Sequence, residues 1–132
     1  MALAISLSPA SDVPVYRQIV RQIAHAAVQG RVAVGEQLPA VRVLAEQLVV
    51  NPNTVARAYQ ELIRDGLAES RAGIGVFVVR HSGGGLLSDA ERSRRLAEAA
   101  AGLAAEGKWL DFTLPEVRSA LEREWKDMGG EK

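Results

Sequence analysis

Proline and glycine punctuate the first eighty residues so closely that no helix there can run much beyond about four turns. Pro14 and Gly30 bound one segment, Pro39 opens a second, Asn51-Pro52 and Gly66 bound a third, and Gly73 and Gly75 interrupt a fourth. Each segment has its own periodicity. In the first, Asp12 is a suitable N-cap and Pro14 suits a first turn, where its missing N–H costs nothing. Val15, Ile19, Ile23 and Ala27 then recur every four residues, Val20 and Ala24 widen the stripe, and Gly30 ends it. A turn near Gly35 leads to Leu38-Pro39, after which Val41, Leu44, Ala45 and Leu48 mark a short second helix. Asn51 caps a third helix, with Pro52 at its first position and Gly66 just past its end. Leu67–Ser70 and Val76–Val79, joined through Arg71-Ala72-Gly73-Ile74-Gly75, predict a β-hairpin.

Helix, helix, tight turn, helix, hairpin is the order of a winged helix-turn-helix domain, so the expected fold is mainly α with a small β-hairpin. The polar glycine run His81-Ser82-Gly83-Gly84-Gly85 marks a boundary. Residues 1–80 form the winged domain, 81–85 a linker and 86–132 a helical segment. In the last of these, Ser88 with Glu91 is a capping-box signature that opens a helix to about Glu106. Thr113 with Glu116 repeats it, with Pro115 in the first turn. Leu114, Val117, Leu121, Trp125 and Met128 then line one face. Two helices of this size enclose no core of their own, so they are expected to pack on the first domain, on a second copy, or on both.

Composition removes most other chemistries. With 132 residues and no Cys, the chain is one domain or a small domain with an appendage, without disulfides, thiol catalysis or cysteine-held metal. His25 and His81 are far apart in sequence and suggest no metal site. No Walker, HExxH or Gly-x-Ser-x-Gly motif occurs, and Gly73-x-Gly75 precedes a strand instead of opening a helix. No catalytic residue, metal or cofactor is therefore expected. The N-terminus lacks a basic region followed by a long apolar core, and no apolar run reaches the ~18 residues of a membrane span. The expected location is the cytoplasm.

Lys and Arg number 16 against 16 Asp and Glu, which excludes a uniformly basic surface but permits a segregated one. Residues 1–80 carry eight basic and six acidic side chains; residues 81–132 carry eight and ten. The third helix has the sharpest division. Val55, Ala58, Tyr59 and Leu62 fall within about 100° of one another. With Asn53 at 0°, Arg57 lies at about 40°, Gln60 at about −20° and Arg64 at about 20°, a narrow stripe opposite the apolar face. Such a stripe holds long donors for guanine and phosphate and an amide for adenine, although a solvated polar face has the same pattern. Arg42, at the start of the second helix, either reaches a phosphate or pairs with Glu46 at i+4. Asn51-Pro52-Asn53-Thr54 is a sound cap in its own right. The hairpin tip is either a plain turn or a close backbone approach to phosphate or a minor groove.

Taken in order, these segments resemble the GntR family of bacterial transcription regulators. Pro14-Val15-Tyr16-Arg17-Gln18-Ile19 and Gly35-Glu36-Gln37-Leu38-Pro39-Ala40-Val41-Arg42-Val43-Leu44-Ala45 carry the likeness. Val50-Asn51-Pro52-Asn53-Thr54-Val55-Ala56-Arg57-Ala58-Tyr59, Asp65-Gly66-Leu67 and Gly73-Ile74-Gly75-Val76-Phe77-Val78 continue it. The Asn-Pro-Asn-Thr-Val start and the short helical tail are similar to its YtrA subfamily. The resemblance implies DNA contacts by Arg42, Asn51, Asn53, Thr54 and Arg57, and by a wing containing Gly73 and Gly75; the stripe and the tip add Gln60, Arg64 and Arg71. It also shows departures: Ala40 where Ser is common, Val43 for Glu, Ala72 for a basic residue, and Val49 for a small or polar one.

The function implied is a sequence-specific, homodimeric regulator, a repressor by default, at a palindromic operator, acting on a transporter operon and its own gene. Leu96, Ala100, Leu103, Leu114, Val117, Leu121 and Trp125 are the expected dimer contacts. The competing class is an interaction module whose tail, with Trp109 and Trp125 as anchors, binds another protein. The 47 residues from Leu86 onward are expected to offer no enclosed pocket of the ~300 Å³ a ligand needs, leaving any effector site to lie between subunits.

Overall fold

The computed structural model describes residues 3–83, 85 and 87–128; Gly84 of the expected linker and Leu86 lie outside the described residues. Helices α1 (Val15–Val28), α2 (Val41–Leu48) and α3 (Pro52–Arg64) precede strands β1 (Ala68–Arg71) and β2 (Gly75–Val78); α4 (Asp89–Trp109) and α5 (Leu114–Asp127) come after them. The chain divides into two compact units, Met1–Leu86 and Leu87–Lys132.

The first unit is built around the apolar stripes of its three helices. Ile19 and Ile23 of α1, Leu44 of α2 and Val55 and Leu62 of α3 are almost fully buried, and Ala68 and Val78 close the core from the hairpin. The three helices end alike. Gly30 donates to the Ala27 carbonyl and Arg31 to Ala26; Gly66 donates to Ile63 and Leu67 to Leu62; Val49 donates to Glu46 and Val50 to Ala45. In each case the residue just past the helix is left-handed, with φ +77° at Gly30, +77° at Gly66 and +56° at Val49. Two ends use the residue without a Cβ, whereas the turn between α2 and α3 uses valine.

Several boundaries differ from expectation. Asp12 makes no cap bond to α1: Pro14 is itself the N-cap, without a side-chain bond. The hairpin lies one residue later on β1 and one earlier on β2, pairing Ala68 with Val78 and Arg71 with Gly75. Leu67 falls outside the strand because its N–H closes α3 on Leu62. Helix α4 runs on to Trp109, past Glu106. Ser88 Oγ accepts from the Glu91 N–H, but the Glu91 carboxylate turns to Arg94 and Arg95 instead of completing the box. Hydrogen bonds from these arginines, Arg94 first, hold its pKa at about 2. The Thr113–Glu116 box is complete.

Two pieces of backbone join the first unit without belonging to the elements above. Residues 35–38 run along the free edge of β2: Gly35 donates to Val78, Val78 to Glu36, and Leu38 to Val76. β2 is thus bonded on both sides. Ahead of α1, Leu3, Ile5 and Leu7 pack against the core at every second position. Glutamines one turn apart on α1 hold that strap. The Gln22 amide exchanges hydrogen bonds with the Ser6 backbone at 2.7 and 2.9 Å. Gln18 does the same with Ser8 at 2.8 and 3.0 Å and also donates to Val13.

In the second unit α4 and α5 meet at Gly107, where a Cβ would come within 2.6 Å of Val117 Cγ2. Gly107 is the buried residue of α4, and none of α5 is buried. Helical spacing organises this hairpin, but its apolar face remains open.

Candidate nucleic-acid interface

Helix α3 is set by its own ends and by one tether. The Asn51 carboxamide oxygen accepts the Asn53 N–H at 2.8 Å, a cap worth about 1 kcal/mol. Pro52 follows at the first helical position. On the buried side, the Tyr59 hydroxyl donates to the Pro39 carbonyl at 2.6 Å. That bond joins α3 to the start of α2, and burial pushes the phenol pKa up.

With Val55, Ala58, Tyr59 and Leu62 buried, Asn53, Arg57, Gln60 and Arg64 are left exposed on the opposite side, with Thr54 partly covered. The geometry of the stripe is that expected from its spacing. The state of each side chain differs. Asn51 has its oxygen committed to the cap, leaving its NH₂ group as the donor. Arg64 pairs with Glu61 one turn back. Arg57 lies over the Tyr16 ring of α1, its guanidinium carbon 3.9 Å from the centroid. Arg42 is exposed, and the Glu46 pair that the i+4 spacing suggests is not formed among the described residues.

The wing is held more firmly than its glycines suggest. Arg71 lies over Phe77 at 4.1 Å and bonds Glu69 at 2.9 Å, so an acid already offsets its charge. Gly73, at φ +74°, lies in the turn closed by the Ile74 N–H on the Arg71 carbonyl. Gly75, at φ +145°, has a neighbour in place of open space: a Cβ there would stand 2.5 Å from Gln37 Nε2. That amide donates to the Ile74 carbonyl at 2.9 Å and fixes the tip to residues 35–38. Gln37, Tyr59 and Tyr16 were not legible as parts of this surface. The one available signal was a tyrosine on the apolar face of α3, whose hydroxyl needs a partner when buried.

In the second unit, an open groove of about 450 Å³ is lined by Leu96, Ala100, Leu103, Leu114, Val117 and Leu121 among others, whereas Trp125 lies outside that lining. The groove is open along its length and not an enclosed pocket, in keeping with the expectation for this segment. Leu96 is 71% exposed, Leu114 68% and Trp109 81%. Among the described residues, no helix is long and apolar enough to cross a membrane.

Residues 15–78 match the family described as bacterial regulatory proteins, gntR family. The HTH-type transcriptional repressor YtrA of Bacillus subtilis is 40% identical over 74 residues, 56% of this chain and 57% of that one. The uncharacterized HTH-type transcriptional regulator YhcF of the same organism is 33% identical over 112 residues, 85% of this chain and 90% of that one. Among solved structures, one described as a transcriptional antiterminator from Listeria monocytogenes EGD-e covers 98% of this chain and 96% of its own, at 26% identity and a TM-score of 0.70. The DNA-binding domain of AraR in complex with operator ORX1 covers 56% of this chain and 92% of its own, at 29% identity and a TM-score of 0.51.

Proposed function

The chain belongs to the GntR family, with YtrA-like relatives, and is a transcriptional regulator with a DNA-binding domain; from that premise we propose that it is a homodimeric repressor acting at a palindromic operator. The observation that carries the reading is the exposed Asn53, Arg57, Gln60 and Arg64 stripe opposite a buried face on a helix fixed at both ends. In this reading α3 enters the major groove, with Asn53, Arg57 and Gln60 at base edges and Asn51, Thr54 and Arg64 near phosphates. Arg42 and Arg71 neutralise backbone, and the wing turn at Gly73 approaches it closely, while Gly75 keeps that turn in place. No cofactor and no chemical step are required.

Dimerisation follows from specificity. One winged domain reads too few base pairs to select a locus among the many competing sites of a genome, and a two-fold axis doubles the readout. The open α4–α5 groove supplies a surface that a second copy would cover. Leu96, Ala100, Leu103, Leu114, Val117 and Leu121 then form the seam, with Trp125 at its margin. A dimer seated over a promoter blocks polymerase without further parts, and the likeness to YtrA, a transcriptional repressor, supports that sign. The regulated genes are proposed to be a transporter operon and the chain's own gene, with the protein working in the cytoplasm where the DNA is.

Protection of DNA upstream of the chain's own gene tests the reading. The intact chain should protect two half-sites about one helical turn apart or less. Arg57→Ala should weaken operator binding by about 1–3 kcal/mol and relax preference at one position. If that variant binds operator and random duplex as the intact chain does, the assigned stripe is wrong. Leu121→Asp should sediment as a monomer and bind the operator poorly, because it places a charge in the seam. A Leu121→Asp chain that remains dimeric would move the seam elsewhere.

A further inference from the structure

We propose that Tyr16, in the first turn of α1, is a positioning residue for base reading: its ring holds the Arg57 guanidinium as a flat, pre-set donor for a guanine edge. The proposal rests on the reading that α3 faces DNA.

Three observations carry it. First, the guanidinium carbon of Arg57 is 3.9 Å from the ring centroid, the spacing of a face-on stack. A stack of this kind engages the faces of the guanidinium and the ring, and leaves the in-plane N–H groups to donate. Guanine presents O6 and N7 side by side in the major groove, and two parallel in-plane donors match them. Second, the ring is itself fixed. Tyr16 is half-buried against the core, on the same helix as the fully buried Ile19 and on a helix other than the one that carries Arg57. A long side chain held in this way loses less freedom when DNA arrives. Third, the partner is neutral. Arg64, in the same stripe, pairs with Glu61, and Arg71 of the wing pairs with Glu69. Those carboxylates compete with nucleic acid for the guanidinium, whereas the Tyr16 ring orients Arg57 without adding a negative charge.

The test uses the full chain and a duplex that it selects from a random-sequence pool, together with copies in which each guanine is replaced in turn. The readout is the affinity ratio between the selected duplex and each replaced copy, with thermal unfolding followed alongside. Arg57→Ala should collapse the ratio at one guanine. Tyr16→Leu should lower the ratio at that same guanine roughly two- to fivefold, the range expected of a lost cation–π stack. It should change nothing further in an Arg57→Ala background. Tyr16→Phe, which keeps the ring, should retain the ratio.

If Arg57→Ala leaves every ratio unchanged, base reading by α3 fails and this proposal fails with it. If Arg57→Ala collapses a ratio that Tyr16→Leu leaves intact, base reading stands and the positioning role alone is overturned. Loss in Tyr16→Phe equal to that in Tyr16→Leu overturns it as well, because the hydroxyl and not the ring would then be acting. One measurement needs no substitution at Tyr16: in the free chain, the Arg57 Nε–H proton resonance should be displaced upfield by the ring beneath it. An undisplaced resonance overturns the proposal even if Tyr16→Leu does not fold.

Discussion

Replacing Val49 with glycine should stabilise the first unit, and the size of the gain can be worked from the backbone. Val49 sits at φ +56° and ψ +52°, the left-handed region, just past the end of α2. A residue with a Cβ loses roughly 1–2 kcal/mol in that region, and a β-branched side chain sits toward the upper part of the range. Burial offers almost no compensation, because the side chain is 89% exposed. Glycine removes the clash but adds unfolded-state freedom that costs about 0.4–1 kcal/mol. The net expectation is a gain of about 0.5–1 kcal/mol. For a unit of this size that corresponds to roughly 2–8 °C in the melting temperature. Asn, which tolerates the left-handed region, should also raise it, while Ala should fall between Val and Gly. Gly30 and Gly66 close α1 and α3 with the same pair of backbone bonds, so the geometry is already suited to glycine. Thermal unfolding of the full chain by circular dichroism gives the answer. Melting temperatures for Val49→Gly and Val49→Asn at or below that of the parent would show that the turn carries no such strain.

Arg42→Ala and Arg71→Ala should each flatten the dependence of DNA affinity on salt by about one unit of slope while leaving sequence preference mostly intact; unchanged slopes in titrations from low to moderate salt would remove both from the phosphate-contacting set. Gly75→Ala should destabilise the first unit by at least about 1 kcal/mol in denaturant unfolding, because its Cβ meets Gln37 Nε2 and its φ is positive. Gly75→Ala should cost less when introduced into a Gln37→Ala background, where the clash is absent and the Gln37–Ile74 bond is already missing from both chains being compared. The His25 pKa is lowered, first by burial and then by Arg21 and Arg31, so its folded value lies below the unfolded 6.5. The unfolded chain therefore takes up the proton first: stability from this group is complete above about pH 6.5, declines as pH falls below it, and levels off below the folded pKa. His25→Gln should remove that component from melting curves taken across pH 5–7, and an unaltered pH profile would show that His25 makes no such contribution.

Local rules were enough for α3. Asn51, Pro52 and Gly66 set its ends and four apolar residues set its buried face, all within about fifteen positions of one another. The same rules misplaced the start of α1, because Asp12 satisfies the pattern of a cap while Pro14 takes the position. What local rules could not reach were contacts between distant segments. The strap alternates Leu3, Ile5 and Leu7, a pattern of period two, yet its hydrogen-bonding partners are the side chains of Gln18 and Gln22. Residues 35–38 are too short to announce a strand between a glycine and a proline, and only the presence of β2 gives them one to pair with. The functional surface follows the same division. The exposed stripe of α3 was legible from helical geometry, whereas the stack of Arg57 on Tyr16 and the amide of Gln37 behind Gly75 join segments far apart along the chain. Arg42 shows the converse: its spacing from Glu46 permitted an ion pair, but exposed pairs of this kind gain so little that spacing alone does not decide them.

The strap also has a mechanical consequence. It runs against the direction of α1, with Ser6 on Gln22 and Ser8 on Gln18, so its attachments lie in series and not side by side. Tension applied ahead of Leu3 would load one glutamine at a time. It would lift Leu3 and Ile5, open the Gln22 attachment, and reach Gln18 only after Leu7 had lifted as well. A fastening of this form peels at low force, whereas the same bonds arranged to share a load would shear together. The core beneath would feel the pull only after the Gln18 attachment had opened, so the strap would act as a fuse between its own N-terminal end and the helices that carry the proposed DNA-facing stripe.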